Sequence, residues 1–205
     1  MSECRHPLFA RFYAFASRGM EKRGAAEHRR ELLTGLAGRV IEVGAGNGLS
    51  FAHYPPGVTE VVAVEPEPYL RARAEEAAPS APVPVRVVAG LADQLPVEDS
   101  GFDAAVCSLV LCSVPDQARA LTEARRVLRP GGELRFYEHV RGTGARARLQ
   151  DAVDPVWSRV GAGCHPNRDT VAAIGAAGFR IESVRRFDFV GWLTAPHVIG
   201  RAALS

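Results

Sequence analysis

Three glycines alternate with other residues in segment 42–48 (Glu-Val-Gly-Ala-Gly-Asn-Gly), directly after a short apolar run. Glycine allows the backbone to turn tightly and to approach a bound molecule closely. The loop that cradles a dinucleotide diphosphate has the spacing G-x-G-x-x-G, whereas here Leu49 occupies the position of the third glycine. The segment therefore predicts close backbone contact with a ligand other than a diphosphate. A structural glycine turn is the alternative.

A carboxylate follows the next apolar run, because Glu65 comes directly after residues 61–64 and precedes Pro66. A carboxylate at the tip of the second strand can accept hydrogen bonds from both hydroxyls of a ribose that lies across the strand ends. Together with the glycine loop, Glu65 predicts a ligand that contains a nucleoside. The alternative is a solvated glutamate at a strand end.

Five short apolar runs predict buried strands, and helical patterns separate them. The predicted strands are 39–43, 61–64, 85–88, 102–107 and 133–140. The predicted helices are 26–36, 69–78, 117–128 and a segment near 169–177, and the glycine loop is expected to turn into a further helix. This alternation indicates β-α-β units, whose strand ends gather the candidate residues at one edge of a parallel sheet.

Two more predicted strands, 180–187 and 197–203, pair antiparallel at the edge of that sheet. The predicted fold class is therefore α/β, with a Rossmann-like, doubly wound, mostly parallel seven-stranded sheet and an antiparallel edge strand. A chain of 205 residues is predicted to form one domain, 1–205. Aromatic residues at helical spacing within 1–25 predict an amphipathic helix, which either packs on the core or closes over the ligand as a lid.

The composition excludes several functional classes. With 25 basic and 23 acidic residues, the net charge of +2 gives no general field for nucleic acid or an anionic membrane. The four cysteines form no CxxC pair and show no zinc-site spacing, so reduced thiols and no metal are predicted. Neither a signal peptide nor a membrane-spanning run is found, and a cytoplasmic location is expected.

Two further segments complete an ordered set of motifs. Residues 90–96 (Gly-Leu-Ala-Asp-Gln-Leu-Pro) are followed by Ser-Gly-Phe-Asp at 100–103, and residues 126–132 read Arg-Val-Leu-Arg-Pro-Gly-Gly. With the glycine loop as first motif and Glu65 as ribose-binding acid, the chain resembles the class I S-adenosylmethionine-dependent methyltransferases. The match runs from about residue 40 to residue 140.

This resemblance implies S-adenosylmethionine as methyl donor and S-adenosylhomocysteine as product. The implied donor-binding residues are Tyr13, Glu42, Gly44, Ala45, Gly46, Gly48, Glu65, Pro66, Leu91, Ala92, Ser108 and Leu109. The loop backbone and Glu42 would lie near the methionine part of the donor, and Ser108 and Leu109 below its amino group. Leu91 stands where family members often have an acidic residue that accepts a hydrogen bond from the adenine amino group. In this chain the adenine would be bound by apolar walls and by the backbone N–H of Ala92.

Segments 51–57, 107–114, 137–140, 154–157, 163–164 and 196–200 are similar to the microsomal alkyl-thiol methyltransferase branch. The chain is expected to lack the N-terminal hydrophobic anchor of those proteins. A small-molecule acceptor, a thiol first of all, is implied. The alternatives are an oxygen or nitrogen acceptor of a small aromatic, quinone-like or lipid molecule, or a non-catalytic S-adenosylmethionine-binding module. The oligomeric state is not predicted.

Two histidines are candidates for the base that would take a proton from a thiol, because imidazole titrates near neutral pH. His139 ends the fifth predicted strand and is the first candidate; a histidine bonded to backbone is the alternative. His165, beside Cys164, is the second, with a polar loop residue as its alternative. Asp154 is interpreted as a turn or cap residue. Cys112 and Cys164 are interpreted as packing residues, with a reactive role as the alternative.

Overall fold

The computed structural model describes residues 7–189 and 196–204, so Cys4 lies outside the described residues. Its centre is a seven-stranded sheet in the order β3-β2-β1-β4-β5-β7-β6. The strands are β1 Gly38–Val43, β2 Val58–Val64, β3 Val85–Val88, β4 Phe102–Ser108, β5 Leu128–His139, β6 Phe179–Asp188 and β7 Pro196–Leu204. β1 to β5 are parallel, and β7 is antiparallel to both β5 and β6. The predicted fold class is confirmed, with β7 as the reversed strand.

Six α-helices accompany the sheet in the described part of the chain. They are α1 Pro7–Met20, α2 Ala26–Leu33, α3 Pro68–Ala77, α4 Gln117–Val127, α5 Gly144–Val160 and α6 Thr170–Ala176. α2 and α3 contribute to one hydrophobic cluster, and α4 and α6 contribute to the other. The two clusters cover the two faces of the sheet, as expected for a parallel sheet whose strands are apolar throughout.

The register of the parallel strands brings their carboxyl ends to one edge. Val43 at the end of β1 pairs with Val64 of β2 and with Cys107 of β4. Ser108 at the end of β4 pairs with Tyr137 of β5. The loops that follow β1, β2, β4 and β5 therefore meet at one crevice, where ligands bind in folds of this class.

Local sequence explains where the elements differ from prediction. The glycine loop leads only into a three-residue 3-10 turn, Phe51–His53, because Tyr54 precedes Pro55 and has an extended backbone. α2 ends at Leu33, before Leu36, since Gly35 has a positive φ of 77°. The helix α5 was not predicted. Its sequence contains Pro155 and has no clear apolar stripe, and in the structure much of its apolar surface is exposed.

No helix among the described residues combines the length and the hydropathy that a membrane span requires.

Candidate active site

The glycine loop adopts a backbone that requires its glycines. Gly44, Gly46 and Gly48 have φ values of +69°, +57° and +76°, in the left-handed region. A β-carbon on Gly44 would lie 2.5 Å from a methyl group of Val110. The N–H groups of Gly44 and Ala45 both donate to the carbonyl of Val64, at 2.8 and 3.1 Å. The loop is thus fixed across the ends of β1, β2 and β4.

Glu65 lies directly beneath this loop and is 5% exposed. Its two carboxylate oxygens accept hydrogen bonds from the N–H of Gly46 (2.7 Å) and of Glu67 (2.9 Å). Burial raises the pKa of Glu65 to about 7, although both backbone hydrogen bonds oppose that rise. Each oxygen of a carboxylate has a second lone pair, which can accept a hydroxyl of a bound molecule.

A buried carboxylate holds the loop that follows β4. Glu138 is fully buried and accepts the N–H groups of Val110 (3.0 Å), Leu111 (3.0 Å) and Cys112 (3.2 Å). Burial raises the pKa of Glu138, and the three hydrogen bonds lower it. Leu109, at φ +60°, makes the turn out of the strand. Glu138 therefore sets the path of the backbone on one side of the crevice.

The hydroxyl of Ser108 is buried and has no hydrogen-bond partner among the residues that the structure describes. A buried polar atom without a partner is costly unless a ligand or water supplies one. Its place at the end of β4, beside the glycine loop, agrees with the predicted contact to the donor.

Replacing Ser108 with alanine should separate binding from folding. Because the hydroxyl is buried and makes no internal hydrogen bond, we expect the free energy of unfolding to be equal to that of the wild type or higher by up to about 1–3 kcal/mol. Loss of one hydrogen bond to the donor should weaken donor affinity by about 1 kcal/mol, or roughly five-fold. Calorimetric titration and urea unfolding measure the two quantities. A destabilised variant with unchanged affinity would show that the hydroxyl has a structural role instead.

The remaining residues that were predicted to bind the methyl donor lie along the same edge of the sheet. Glu42 is 2% exposed and accepts the hydroxyl of Tyr54 at 2.9 Å, so part of its hydrogen-bonding capacity is used inside the protein. Leu91 and Ala92 form a partly buried turn beyond β3, closed by a bridge between Leu91 and Gln94. The structure thus gathers these residues at the crevice, while their contacts to a donor stay predictions.

The N-terminal helix α1 lies over the glycine loop. The ring of Tyr13 would be 3.5 Å from a β-carbon placed on Gly46, and Asn47 of the loop donates to the hydroxyl of Ser17 at 3.2 Å. The pKa of Tyr13 is raised, chiefly by burial; the charge of Arg29 opposes that rise, and the charge of Glu65 adds to it. α1 therefore covers the crevice and places a phenol inside it.

His165 has the arrangement of an oriented base. Its Nδ1 lies 2.9 Å from the carboxylate of Asp154, and its backbone N–H donates to the carbonyl of Cys112 at 2.8 Å. The side chain of His165 stays partly exposed. The interpretation of Asp154 as a turn or cap residue was wrong, because Asp154 lies inside α5 and its carboxylate faces the imidazole.

His139 occupies a different environment. Its Nδ1 is 3.5 Å from the sulfur of Cys112 and 3.7 Å from that of Cys164, and its ring centre is 4.4 Å from that of His197. Burial lowers the pKa of His139, but its hydrogen bond with Cys164 and the nearby Glu138 raise that pKa above its usual value. Both cysteines are buried free thiols.

Sequence reasoning missed one charged group beside the crevice. Arg29 is 5% exposed and forms an ion pair with Glu21 at 3.0 Å. Its charge lowers the pKa values of both Tyr13 and Glu42, which burial raises. The available signal was the position of Arg29, three residues before Leu32 on the apolar face of α2. An arginine is rarely buried without a partner, so this position indicates a charged or polar partner nearby.

Comparison with known proteins identifies the family of this chain. Residues 41–136 match the family described as a methyltransferase domain. Human thiol S-methyltransferase TMT1B is 37% identical over 179 residues, which cover 83% of this chain and 73% of that protein. Human thiol S-methyltransferase TMT1A is 34% identical over 192 residues, which cover 86% and 78%.

A solved structure shows the same fold. A SAM-dependent methyltransferase from Thermotoga maritima has a TM-score of 0.73 and 23% identity, and the match covers 96% of this chain and 98% of that one. The glycine loop follows β1 and Glu65 follows β2, at the strand ends where the sequence motifs predicted them. The chain belongs to the class I S-adenosylmethionine-dependent methyltransferases, among the relatives of the thiol S-methyltransferases TMT1A and TMT1B.

Proposed function

We propose that this enzyme transfers the methyl group of S-adenosylmethionine to the sulfur of a small thiol. The observation that carries the choice of acceptor is the 34–37% identity, over most of the chain, to proteins named thiol S-methyltransferases. A thiol is also the acceptor that needs the least help, because its pKa of about 8.5 already leaves a few per cent of thiolate at neutral pH.

The described residues fit the donor. The positive φ values of Gly44, Gly46 and Gly48 turn the loop backbone tightly across the strand ends, and Glu65 offers two acceptor oxygens for a ribose. Ser108, whose hydroxyl has no hydrogen-bond partner among the described residues, lies at the carboxyl edge of the sheet, where β4 ends. When bound, S-adenosylmethionine supplies a methyl carbon that is electrophilic because it is attached to a positively charged sulfur.

The protein has three tasks around that carbon: to hold the donor, to hold the thiol in line, and to exclude water. The contacts of α1 on the glycine loop support its predicted role as a lid, with Tyr13 toward the donor. Because Tyr13 lies in the crevice, α1 has to move outward before the donor enters. We also propose a cytoplasmic location, because Cys107, Cys112 and Cys164, the cysteines among the described residues, are reduced thiols.

We propose that Nε2 of His165 accepts the proton of the acceptor thiol. The Asp154 carboxylate accepts a hydrogen bond from Nδ1, so the lone pair of the neutral ring lies on Nε2. His139 stays the other candidate for this role, but its Nδ1 faces two sulfurs.

Replacing His165 with glutamine should lower kcat with a thiol about 100-fold at pH 6.5, the low end of the range for general-base catalysis. The deficit should shrink toward pH 8.5, because the thiol then ionises without help. Steady-state rates across this pH range, with His139→Gln measured alongside, test the assignment. A full rate for His165→Gln at every pH, together with a loss that depends on pH in His139→Gln, would transfer the role to His139.

The choice of acceptor atom is tested by competition. Equal concentrations of a small alkyl thiol, a phenol and an amine are incubated with the enzyme and S-adenosylmethionine carrying a deuterated methyl group. We expect the label in the thioether, as measured by mass spectrometry of the three products. Label in the phenol or the amine alone would show that the protein is a methyltransferase whose acceptor is not a thiol.

A further inference from the structure

Three side chains from distant parts of the chain converge on one point in the described structure. Cys112 lies in the loop after β4, His139 ends β5, and Cys164 lies in the loop after α5. The two sulfurs are 3.8 Å apart, and Nδ1 of His139 is 3.5 Å from one and 3.7 Å from the other. Such a triangle of soft donor atoms is uncommon outside metal sites and redox pairs.

The size of the triangle is that of a zinc site. With a Zn–S bond of about 2.3 Å and a Zn–N bond of about 2.05 Å, tetrahedral angles separate two sulfurs by about 3.8 Å and a sulfur and a nitrogen by about 3.6 Å. The observed separations match these values without movement of any side chain. A disulfide would require the sulfurs to approach to about 2.05 Å.

The backbone holds the two cysteines in this position. His165 N–H donates to the carbonyl of Cys112 at 2.8 Å, which joins the two loops next to their sulfurs. Gly163, at φ +87°, lies against the carbonyl of Ser113, where a β-carbon would come within 2.8 Å. The N–H of Cys112 is fixed by Glu138. The three donor atoms are therefore preorganised.

Polar groups around the sulfurs suit thiolates. The hydroxyl of Ser113 lies 3.5 Å from the sulfur of Cys112, and the side chain of Trp157 forms a hydrogen bond with Cys164. Hydrogen bonds to the ligand atoms are the usual outer layer of a metal site. His139 is partly exposed, whereas Cys112 and Cys164 are buried, so access to the cluster is from one side.

We propose that Cys112, Cys164 and Nδ1 of His139 bind one Zn²⁺ ion, with the fourth position left for the sulfur of the acceptor. The fourth-ligand role rests on the proposed function, whereas the metal site does not. Two thiolates and a neutral imidazole balance the charge of the ion, and three protein ligands plus an open position are typical of catalytic zinc. The sequence predicted no metal, because these ligands lie far apart along the chain and lack the short spacings of zinc motifs.

The chemistry of such a site matches methyl transfer to sulfur. The thiol loses its proton to His165 as its sulfur takes the fourth position, so a thiolate persists at neutral pH. A lone pair of that sulfur then forms the new S–C bond while the C–S bond of the sulfonium breaks. The bonding pair of the broken bond stays on the donor's sulfur, and the neutral thioether leaves as a weaker ligand.

The test measures metal content, which does not depend on activity. The protein is produced in zinc-supplemented medium, its affinity tag is removed, and it is dialysed without chelator before elemental analysis. We expect about one zinc per chain in the wild type and almost none in Cys112→Ala and Cys164→Ala. Cys107→Ala is the matched control, because Cys107 is a buried free thiol in β4 outside the cluster. It should retain zinc.

Two further measurements make the outcome decisive. Cobalt-substituted protein should show thiolate-to-metal absorption that both cluster variants lose, and calorimetry should show that these variants still bind S-adenosylmethionine and are folded. Zinc-free wild type, equal zinc in the cluster variants, or a Cys112–Cys164 disulfide in place of the metal would overturn the proposal. Bound zinc without thiol methylation would overturn the proposed function alone, and full methylation activity after the zinc has been removed would overturn the role of the metal as a ligand of the acceptor.

Discussion

Replacing Glu138 with alanine is expected to lower the free energy of unfolding by about 2–6 kcal/mol, since three N–H groups lose their acceptor: two are buried, at about 1–3 kcal/mol each, and the third is partly buried. Those groups belong to Val110, Leu111 and Cys112, which form one wall of the crevice. Glutamine at this position should cost less than alanine, because its carbonyl oxygen can still accept the N–H groups of Val110 and Leu111. Urea unfolding monitored by circular dichroism measures the differences.

A surface glutamate provides the control for Glu138. Glu182 on β6 pairs with Arg180 at 2.9 Å and is exposed, so its replacement by alanine should change stability by less than about 1 kcal/mol. If Glu138→Ala is no less stable than Glu182→Ala, the carboxylate neither holds the loop nor sets the position of this wall.

Replacing Glu65 with alanine should weaken the binding of S-adenosylmethionine by about 1.5–3 kcal/mol, or roughly 10- to 150-fold, as for the loss of hydrogen bonds to a charged acceptor. Isothermal titration calorimetry measures the affinity directly. Glu60→Ala, at the opposite end of the same strand, removes a carboxylate that pairs with Arg39 and should leave the affinity unchanged. Equal affinities of Glu65→Ala and the wild type would remove Glu65 from the donor site.

The same residue predicts how the affinity depends on pH. The pKa of Glu65 is about 7 in the free protein, so below pH 7 the carboxyl is mostly protonated. Ribose hydroxyls bind the ionised form better. Binding below pH 7 should therefore release a proton, and affinity should fall as the pH is lowered from 8 to 6. Titrations in buffers of different ionisation enthalpy measure the proton release, which Glu65→Gln should abolish.

The sequence predicted much of the fold because its signals are local. Apolar runs, prolines and the alternating glycines determine where strands begin and where the backbone takes positive φ, and Gly44 and Gly48 show why no other residue fits there. The position of Glu65 at a strand tip followed from the same pattern. Parallel strands then bring their ends together without further information.

The features that were missed depend on tertiary contacts. The pairing of Asp154 with His165 requires α5, whose apolar residues face solvent and whose Pro155 suggests a turn. The cluster of Cys112, His139 and Cys164 requires two separate loops to dock at the end of β5, and no spacing along the chain indicates it. Such contacts become visible only after the strand order is known.

The central claim is that this chain moves a methyl group from S-adenosylmethionine to a thiol sulfur. A single-turnover experiment with enzyme in excess over donor tests it most directly, by counting deuterated thioether and S-adenosylhomocysteine in the same sample. We expect equal amounts of the two products, and much less thioether from Glu65→Ala at an enzyme concentration above the Kd of the wild type for the donor and below that of the variant. S-adenosylhomocysteine without thioether, or a bound donor that persists unchanged beside a range of small thiols, would contradict it.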